Sequence, residues 1–314
     1  MHICLSNTST RTISSQLQRI HETTAQTTGR VLTLIIMATA QDDLEALMTV
    51  TTDASREHPA RVLVLVDSRD SNVQEDSRVD AEIRVGGDTG ASELVVMYLH
   101  GHVADHPDAV VTPLLLPDTP IVAWWASQAP KNPAQDPIGK IAQRRITDCF
   151  NDPHHNTLGR RCSYYEPGDS DLAWARITQF RGLIASALDV YPRLPIKKVE
   201  VAGVDDNPSI DLLAGWLADR LNAPVRRFTK KDTNTGGTLP ACSISLHRED
   251  GEINVSTTEN ATAALSLPNK PVTYVALNAR SLSDCLAEEL RHLDDDKAYA
   301  GALAGVSRIE RDDD

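Results

Sequence analysis

A chain of 314 residues is too long for one small domain and suits two of about 150 residues each. A formal net charge of −13 with no long basic run argues against nucleic acid as a partner, because that binding needs clustered Lys and Arg. Hydrophobic residues make up 41% but aromatics only 4%, so the cores must be built mainly from Leu, Val, Ile and Ala.

In chain order, Ile13, Leu17 and Ile20 fall at helical spacing and predict an amphipathic helix over residues 12–27, ended by Gly29. A buried strand follows at 31–37. Asp42 or Asp43 starts a second helix that carries Leu44, Leu47, Met48 and Val50, and 62–66 is a second buried strand. Strand, helix, strand implies a right-handed crossover between parallel neighbours. At 79–85 the pattern alternates, which predicts a half-exposed strand, and a glycine-rich loop at 86–90 leads to another strand at 94–99. A short helix at 108–116, a tryptophan-bearing strand at 121–125 and a short helix near 137–142 complete the first half. Residues 151–170 carry Pro, Gly, His and Tyr without a period and read as a long loop.

An amphipathic helix at 172–188 and a proline-rich linker at 191–195 precede a restart: strand 199–202, helix 209–221, strand 224–228, short and mostly antiparallel strands at 241–246, 253–257, 263–267 and 272–276, and a closing helix at 282–293. Asp250-Gly251 marks a hairpin. The expected fold class is α/β, with domains at 1–192 and 193–314, each a mixed β-sheet packed with helices. The similar order of elements in the two halves points to a degenerate duplication.

Five widely spaced cysteines, Cys4, Cys149, Cys162, Cys242 and Cys285, fit reduced thiols in a cytoplasmic protein, with Cys149 and Cys162 as the pair to consider for a redox switch. No basic region followed by an apolar core opens the chain, so no signal peptide is expected. No apolar run approaches the roughly 18 residues that a membrane span needs.

Two of the 4 tryptophans, Trp124 and Trp125, stand side by side on one predicted strand. Alternation along a strand sends one ring into the core and the other outward, where it would sit near Arg144 and Arg145 as an anchor for a partner surface. The competing reading packs both rings in a core short of aromatics. The loop at 86–90 is a hairpin loop or an anion or partner contact, with Arg84 beside it; a phosphate loop should open a helix, and here a strand follows. His100, His102 and His106 come near a zinc pattern without its spacing, and a surface loop is the simpler reading. Glu57 and His58 form an acid–base pair or simply end a helix.

Several stretches together resemble one known family: Gly29-Arg30-Val31-Leu32-Thr33-Leu34, Ser55-Arg56-Glu57-His58-Pro59-Ala60-Arg61-Val62, Arg84-Val85-Gly86-Gly87-Asp88 with Gly90-Ala91-Ser92-Glu93, Leu114-Leu115-Leu116-Pro117-Asp118 through Trp124-Trp125, and Gln143-Arg144-Arg145-Ile146-Thr147-Asp148. They look like the OpcA family of bacterial glucose-6-phosphate dehydrogenase assembly proteins, most densely over 29–150. The resemblance implies a non-catalytic partner, without cofactor or metal, that binds glucose-6-phosphate dehydrogenase of the pentose phosphate pathway and raises its activity or aids its assembly. The contact patch expected on this basis is Trp124, Trp125, Arg144, Arg145, Asp148, Arg84, Gly86, Gly87 and Asp88. The alternatives are a sugar-phosphate or nucleotide sensor using the 86–90 loop, and a metal-dependent hydrolase using His100, His102 and His106.

Overall fold

The structure, a computed structural model, describes residues 1–23, 30–69, 76–86, 93–189, 193–230, 242–258 and 262–312. In order these form β1 (His2–Thr8), α1 (Thr10–Thr23), β2 (Leu32–Thr39), α2 (Leu44–Ala54), β3 (Ala60–Asp67), β4 (Arg78–Val85), β5 (Glu93–His100), α3 (Pro107–Val111), β6 (Ile121–Trp125), α4 (Pro137–Ile141), β7 (Arg144–Thr147), α5 (Thr157–Tyr164), β8 (Asp169–Asp171), α6 (Leu172–Arg176) and α7 (Thr178–Leu188). There follow β9 (Lys198–Gly203), α8 (Pro208–Leu221), β10 (Val225–Thr229), β11 (Cys242–Arg248), β12 (Gly251–Thr257), β13 (Thr262–Ser266), β14 (Thr273–Ala276), α9 (Leu282–Arg291), α10 (Lys297–Val306) and β15 (Ile309–Asp312). Two compact units result. The first holds Met1–Thr157, Glu166–Ser170 and Leu282–Asp295; the second holds Leu158–Tyr165, Asp171–Ser281 and Asp296–Asp314.

The sheet of the first unit runs β1-β4-β5-β3-β2-β6-β7-β8 among the described residues. Its middle is parallel, from β5 through β3, β2 and β6 to β7, and β4 and β1 add antiparallel on one side. Both faces of the middle are buried, as a parallel sheet demands. One face carries Ile35, Leu63, Leu65, Val95, Met97 and Trp125, packed with Ile13, Leu17 and Ile20 of α1, Val110 and Val111 of α3 and Ile138 of α4. The other carries Leu34, Ile36, Val62, Val64, Val96, Val122 and Trp124, all buried. Asp43 caps α2 by accepting from the Ala46 N–H, and α2 packs against α9.

The second sheet runs β14-β13-β12-β11-β9-β10-β15. β9, β10 and β15 are parallel, and β11 to β14 form an antiparallel meander beside β9. The expected hairpin is present: Gly251, at φ +135°, takes the turn between β11 and β12. Inward side chains Val199, Val201, Ile244, Leu246, Ile253 and Val255 meet Phe180, Ile184, Ile210, Leu213 and Leu217 of α7 and α8. α8 is capped by Asn207 and stops at Asn222 in the left-handed region. α8 and α10 cross where Gly215 and Gly305 let the backbones touch: a Cβ on Gly305 would overlap the Gly215 carbonyl oxygen.

Two mixed sheets packed with helices match the expected fold class. The halves do not repeat one another: one sheet is mainly parallel, the other mainly antiparallel, and their strand orders differ, so no duplication is evident. The boundary also differs from 192. Phe180, Ile184 and Ala187 belong to the second core, which takes α6 and α7 into the second unit, while α9 returns to the first. The predicted helix at 172–188 breaks at Ile177 into α6 and α7. The predicted loop at 151–170 contains α5, where Leu158, Cys162 and, just past its end, Tyr165 fall at helical spacing and pack against the second core. Gly29 and residues 191 and 192 of the predicted linker lie outside the described residues. No helix of the described residues is long and apolar enough to cross a membrane.

Candidate functional site

In an open α/β sheet, ligands enter the crevice at the carboxyl ends of the strands where the connection order reverses. In the first unit that point lies between β2 and β6. The turn leaving β2 reads Thr39-Ala40-Gln41-Asp42-Asp43, without glycine. Asp42 Oδ2 accepts from the Thr39 N–H at 2.6 Å, the Thr39 hydroxyl at 2.9 Å and the Ser127 hydroxyl at 3.1 Å. Asp43 Oδ1 takes the Ala46 N–H at 3.0 Å. A carboxylate therefore already occupies the positive end of α2, with a second beside it. A phosphate arriving there would meet two negative charges instead of open amides.

The tryptophan–arginine stretch is interior. Trp124 is 0% and Trp125 3% exposed, so the expectation of an outward ring is corrected. The physical reason is β7. Residues 144–147, expected to follow a helix on the surface, form a strand between β6 and β8, and its two arginines point to opposite faces. Arg144 Nη2 donates to Glu289 Oε2 at 2.5 Å, and the same oxygen accepts from the Ser170 hydroxyl at 2.5 Å. Arg145 Nε donates to Asp169 Oδ1, and its Nη2 to the Pro167 carbonyl, each at 2.5 Å. Asp148, fully buried, accepts from the Phe150 N–H at 3.2 Å and the Asn151 side-chain amide at 2.7 Å, and so orders the turn after β7. These five side chains brace the first unit and offer no contact surface.

Arg84 is half-buried and tied to Glu45 at 3.0 Å and Glu82 at 3.1 Å, which raises its pKa, the Glu45 hydrogen bond most of all. Gly86 sits at φ +71° just after β4; Gly87 and Asp88 lie outside the described residues. The three histidines do not converge. His100 lies 3.2 Å from Asp80, His102 pairs with Asp105 at 3.3 Å, and His106 precedes α3. Among the described residues, no group of three or more His, Cys, Asp or Glu side chains could hold a metal ion. Glu57 pairs with Arg291 at 2.7 Å instead of with His58, and burial holds the His58 pKa down. All five cysteines are free thiols, and burial pushes Cys162 up to about 11 and Cys242 up to about 12. Neither of these two is a ready nucleophile at neutral pH. Cys242 lines a pocket of about 20 Å³ with Ile177, Phe180, Ile210, Leu213 and Leu277. That is room for about one water.

What the stretch-by-stretch reading did not single out is the outer face of the second sheet. Register aligns Phe228, Ala202, Ser243, Ser256, Ala264 and Tyr274 in one uncharged row across six strands. Ser245, Asn254 and Ser266 stand in the next row. From Phe228 to Ala264, and through the second row, these side chains are half-exposed while Val201, Ile244, Leu246, Ile253, Val255 and Ala263 on the inward face are buried; Tyr274 is exposed. Charge collects toward one end, where Glu200 meets Lys198 and, at 3.3 Å, His247. The Lys198 hydrogen bond is the main cause of the lowered Glu200 pKa. Lys230 rims the other end and donates to the Ser243 hydroxyl at 2.7 Å. The signal was present in the sequence as small polar residues alternating with Ile, Leu and Val over 243–257. A flat, small-residue area with charge at its margins can accept another protein surface.

Two family models match the chain. One, described as the glucose-6-phosphate dehydrogenase subunit N-terminal domain of OpcA, matches residues 51–162; the other, the corresponding C-terminal domain, matches 167–303. No curated protein matches the sequence. Among solved structures, a 3-ketoreductase from Actinomadura kijaniata in complex with NADP is 7% identical, with a TM-score of 0.46 over 88% of this chain and 98% of that one. An oxidoreductase from Pseudomonas syringae is 10% identical, with a TM-score of 0.42 over 89% and 95%. A levoglucosan dehydrogenase in complex with NADH and L-sorbose is 8% identical, with a TM-score of 0.41 over 90% and 91%. At these values the likenesses concern general architecture and carry nothing about activity.

Proposed function

This chain belongs to the OpcA family, and from that premise we propose that it is a non-catalytic assembly factor and allosteric activator of glucose-6-phosphate dehydrogenase, in the pentose phosphate pathway. The reading is carried by the paired matches over 51–162 and 167–303, whose descriptions both name that dehydrogenase. The closed switch point supports it from the chemical side, because the turn at Asp42 and Asp43 is unsuited to a dinucleotide phosphate. The contact surface in this reading is the outer face of β9 and β11 to β13, with Ser256, Asn254 and Ala264 at its centre and Ser243, bonded to Lys230, at its rim, in place of the buried tryptophans. Small side chains let a partner backbone approach closely, and an uncharged centre avoids the cost of desolvating ions. Activation then reflects tighter binding to the active dehydrogenase conformation or oligomer, and is limited by that difference in affinity.

The test is the initial rate of purified glucose-6-phosphate dehydrogenase with and without the chain, paired with co-sedimentation. The expected result is a faster rate and a joint boundary. With Ser256→Lys, both should weaken at least tenfold in the concentration required while the melt stays unchanged. A dehydrogenase that neither binds the chain nor responds to it contradicts the proposal.

A further inference from the structure

We propose that β14 is a self-association edge, pairing antiparallel with β14 of a second copy of this chain. β14 is the outermost strand on its side of the second sheet among the described residues, hydrogen-bonded to β13 alone. Tyr274 is 69% and Val272 50% exposed. Two of the chain's large exposed apolar side chains thus stand two positions apart on one sheet edge. From Pro271 to Ala279 there is no charged residue, in a chain where 24% of residues are charged and the net charge is −13.

Sheet edges are normally kept from pairing by a charge or proline within the strand, by a bulge or by a covering element. β14 has no charge and no proline from Thr273 to Ala276, and its register with β13 is continuous from Leu265–Thr273 to Thr262–Ala276. Among the described residues, its one protective feature is shortness, since it spans 4 residues. Backbone pairing over so short a strand is weak alone, so the exposed Tyr274 and Val272 must supply apolar contact.

The occupant follows from charge and symmetry. Two copies that each carry −13 repel one another over most of their surfaces, and an uncharged edge is where they can approach. Antiparallel pairing of identical strands about a two-fold axis supplies each copy with the donors and acceptors it offers the other, and it closes at two. A foreign strand would instead need its own open edge of matching register. The inference does not depend on the dehydrogenase reading.

Sedimentation velocity of the purified chain over a range of concentrations tests it. The expected result is a boundary that shifts from monomer to dimer as concentration rises. Tyr274→Lys and, separately, Val272→Lys should hold the chain at monomer over the same range; both sites are exposed, and circular dichroism melts verify that the variants fold. Hydrogen exchange on the unaltered chain is a second readout, in which the β14 amides should slow with concentration. A wild-type chain that stays monomeric throughout overturns the proposal. So does a dimer that persists in both folded variants. A monomeric wild type whose β14 amides are protected only by added dehydrogenase also overturns it, and assigns the edge to that partner.

Discussion

The two sheets solve opposite problems. In the first unit β2, β3 and β5 are buried on both faces, and their sequences read as nearly continuous apolar runs such as Leu-Thr-Leu-Ile-Ile-Met-Ala-Thr in β2. In the second, β11 buries Cys242, Ile244 and Leu246 and β12 buries Ile253 and Val255, and the residues facing the other way are Ser243, Ser245, His247, Asn254, Ser256 and, at one end, Glu252. A sheet sealed on both sides has nothing left to offer a partner, however conspicuous its residues. The tryptophan pair fills the interior of this sheet, and the two arginines can lie inside it because Glu289 and Asp169 pair with them. The face suited to contact is made of the least conspicuous side chains in the chain.

The sharpest way to break this contrast is to truncate a large side chain in the sealed sheet. Trp124→Ala should cost about 3–5 kcal/mol of stability, through the lost burial of the ring together with the cavity it leaves, and is read from a denaturant melt. A loss under about 1 kcal/mol would mean that the ring is not enclosed. The next effect is smaller and belongs to the second unit, where Gly305→Ala places a methyl against the Gly215 carbonyl at the α8–α10 crossing. Overpacking there should cost about 1–3 kcal/mol in the same melt. The open face should tolerate far more: Ser256→Lys should change stability by no more than about 0.5 kcal/mol, since the side chain projects away from the core. A collapse of the fold in that variant would show the face to be covered.

The smallest effect concerns the antiparallel margin of the first sheet, where β1 pairs with β4. The Asn7 N–H, 2.7 Å from Asp80 Oδ1, holds the Asp80 carboxyl below the usual carboxylate range, aided by Arg78 and His100. A carboxyl depressed in the folded state contributes stability above its unfolded pKa of about 4, and the contribution fades as pH falls through the depressed value. Asp80→Asn should therefore lower the neutral plateau of a stability–pH curve slightly, by what the carboxylate contributes, and flatten the acid limb below about pH 4, so that the two curves converge in acid. An acid limb as steep as the wild type's would remove Asp80 from the account.

Periodicity made the sealed sheet legible. Ile13, Leu17 and Ile20 gave α1, the apolar runs gave β2, β3 and β5, and Asp43 and the Asp250-Gly251 turn marked a cap and a hairpin. β7 was not legible, because Arg144-Arg145 reads as surface until Glu289 and Asp169 are brought to it from distant parts of the chain. α10 was missed because Ala300, Gly301, Ala302 and Gly305 lack the bulky stripe that announces a helix; their purpose is close approach to α8, a tertiary demand. The break at Ile177 carries no proline or glycine to mark it. The proposed contact face is inconspicuous for a related reason. Tryptophan and arginine are enriched at protein interfaces in general, whereas an alternation of serine with isoleucine announces only a half-exposed strand.

The most direct measurement is hydrogen exchange on this chain with and without purified glucose-6-phosphate dehydrogenase. The account predicts new protection over β11, β12 and β13, with no change in β2, β3 and β6, which are already sealed. Protection confined to the turn after β2, around Asp42 and Ser127, with β11 to β13 unaffected, would contradict it.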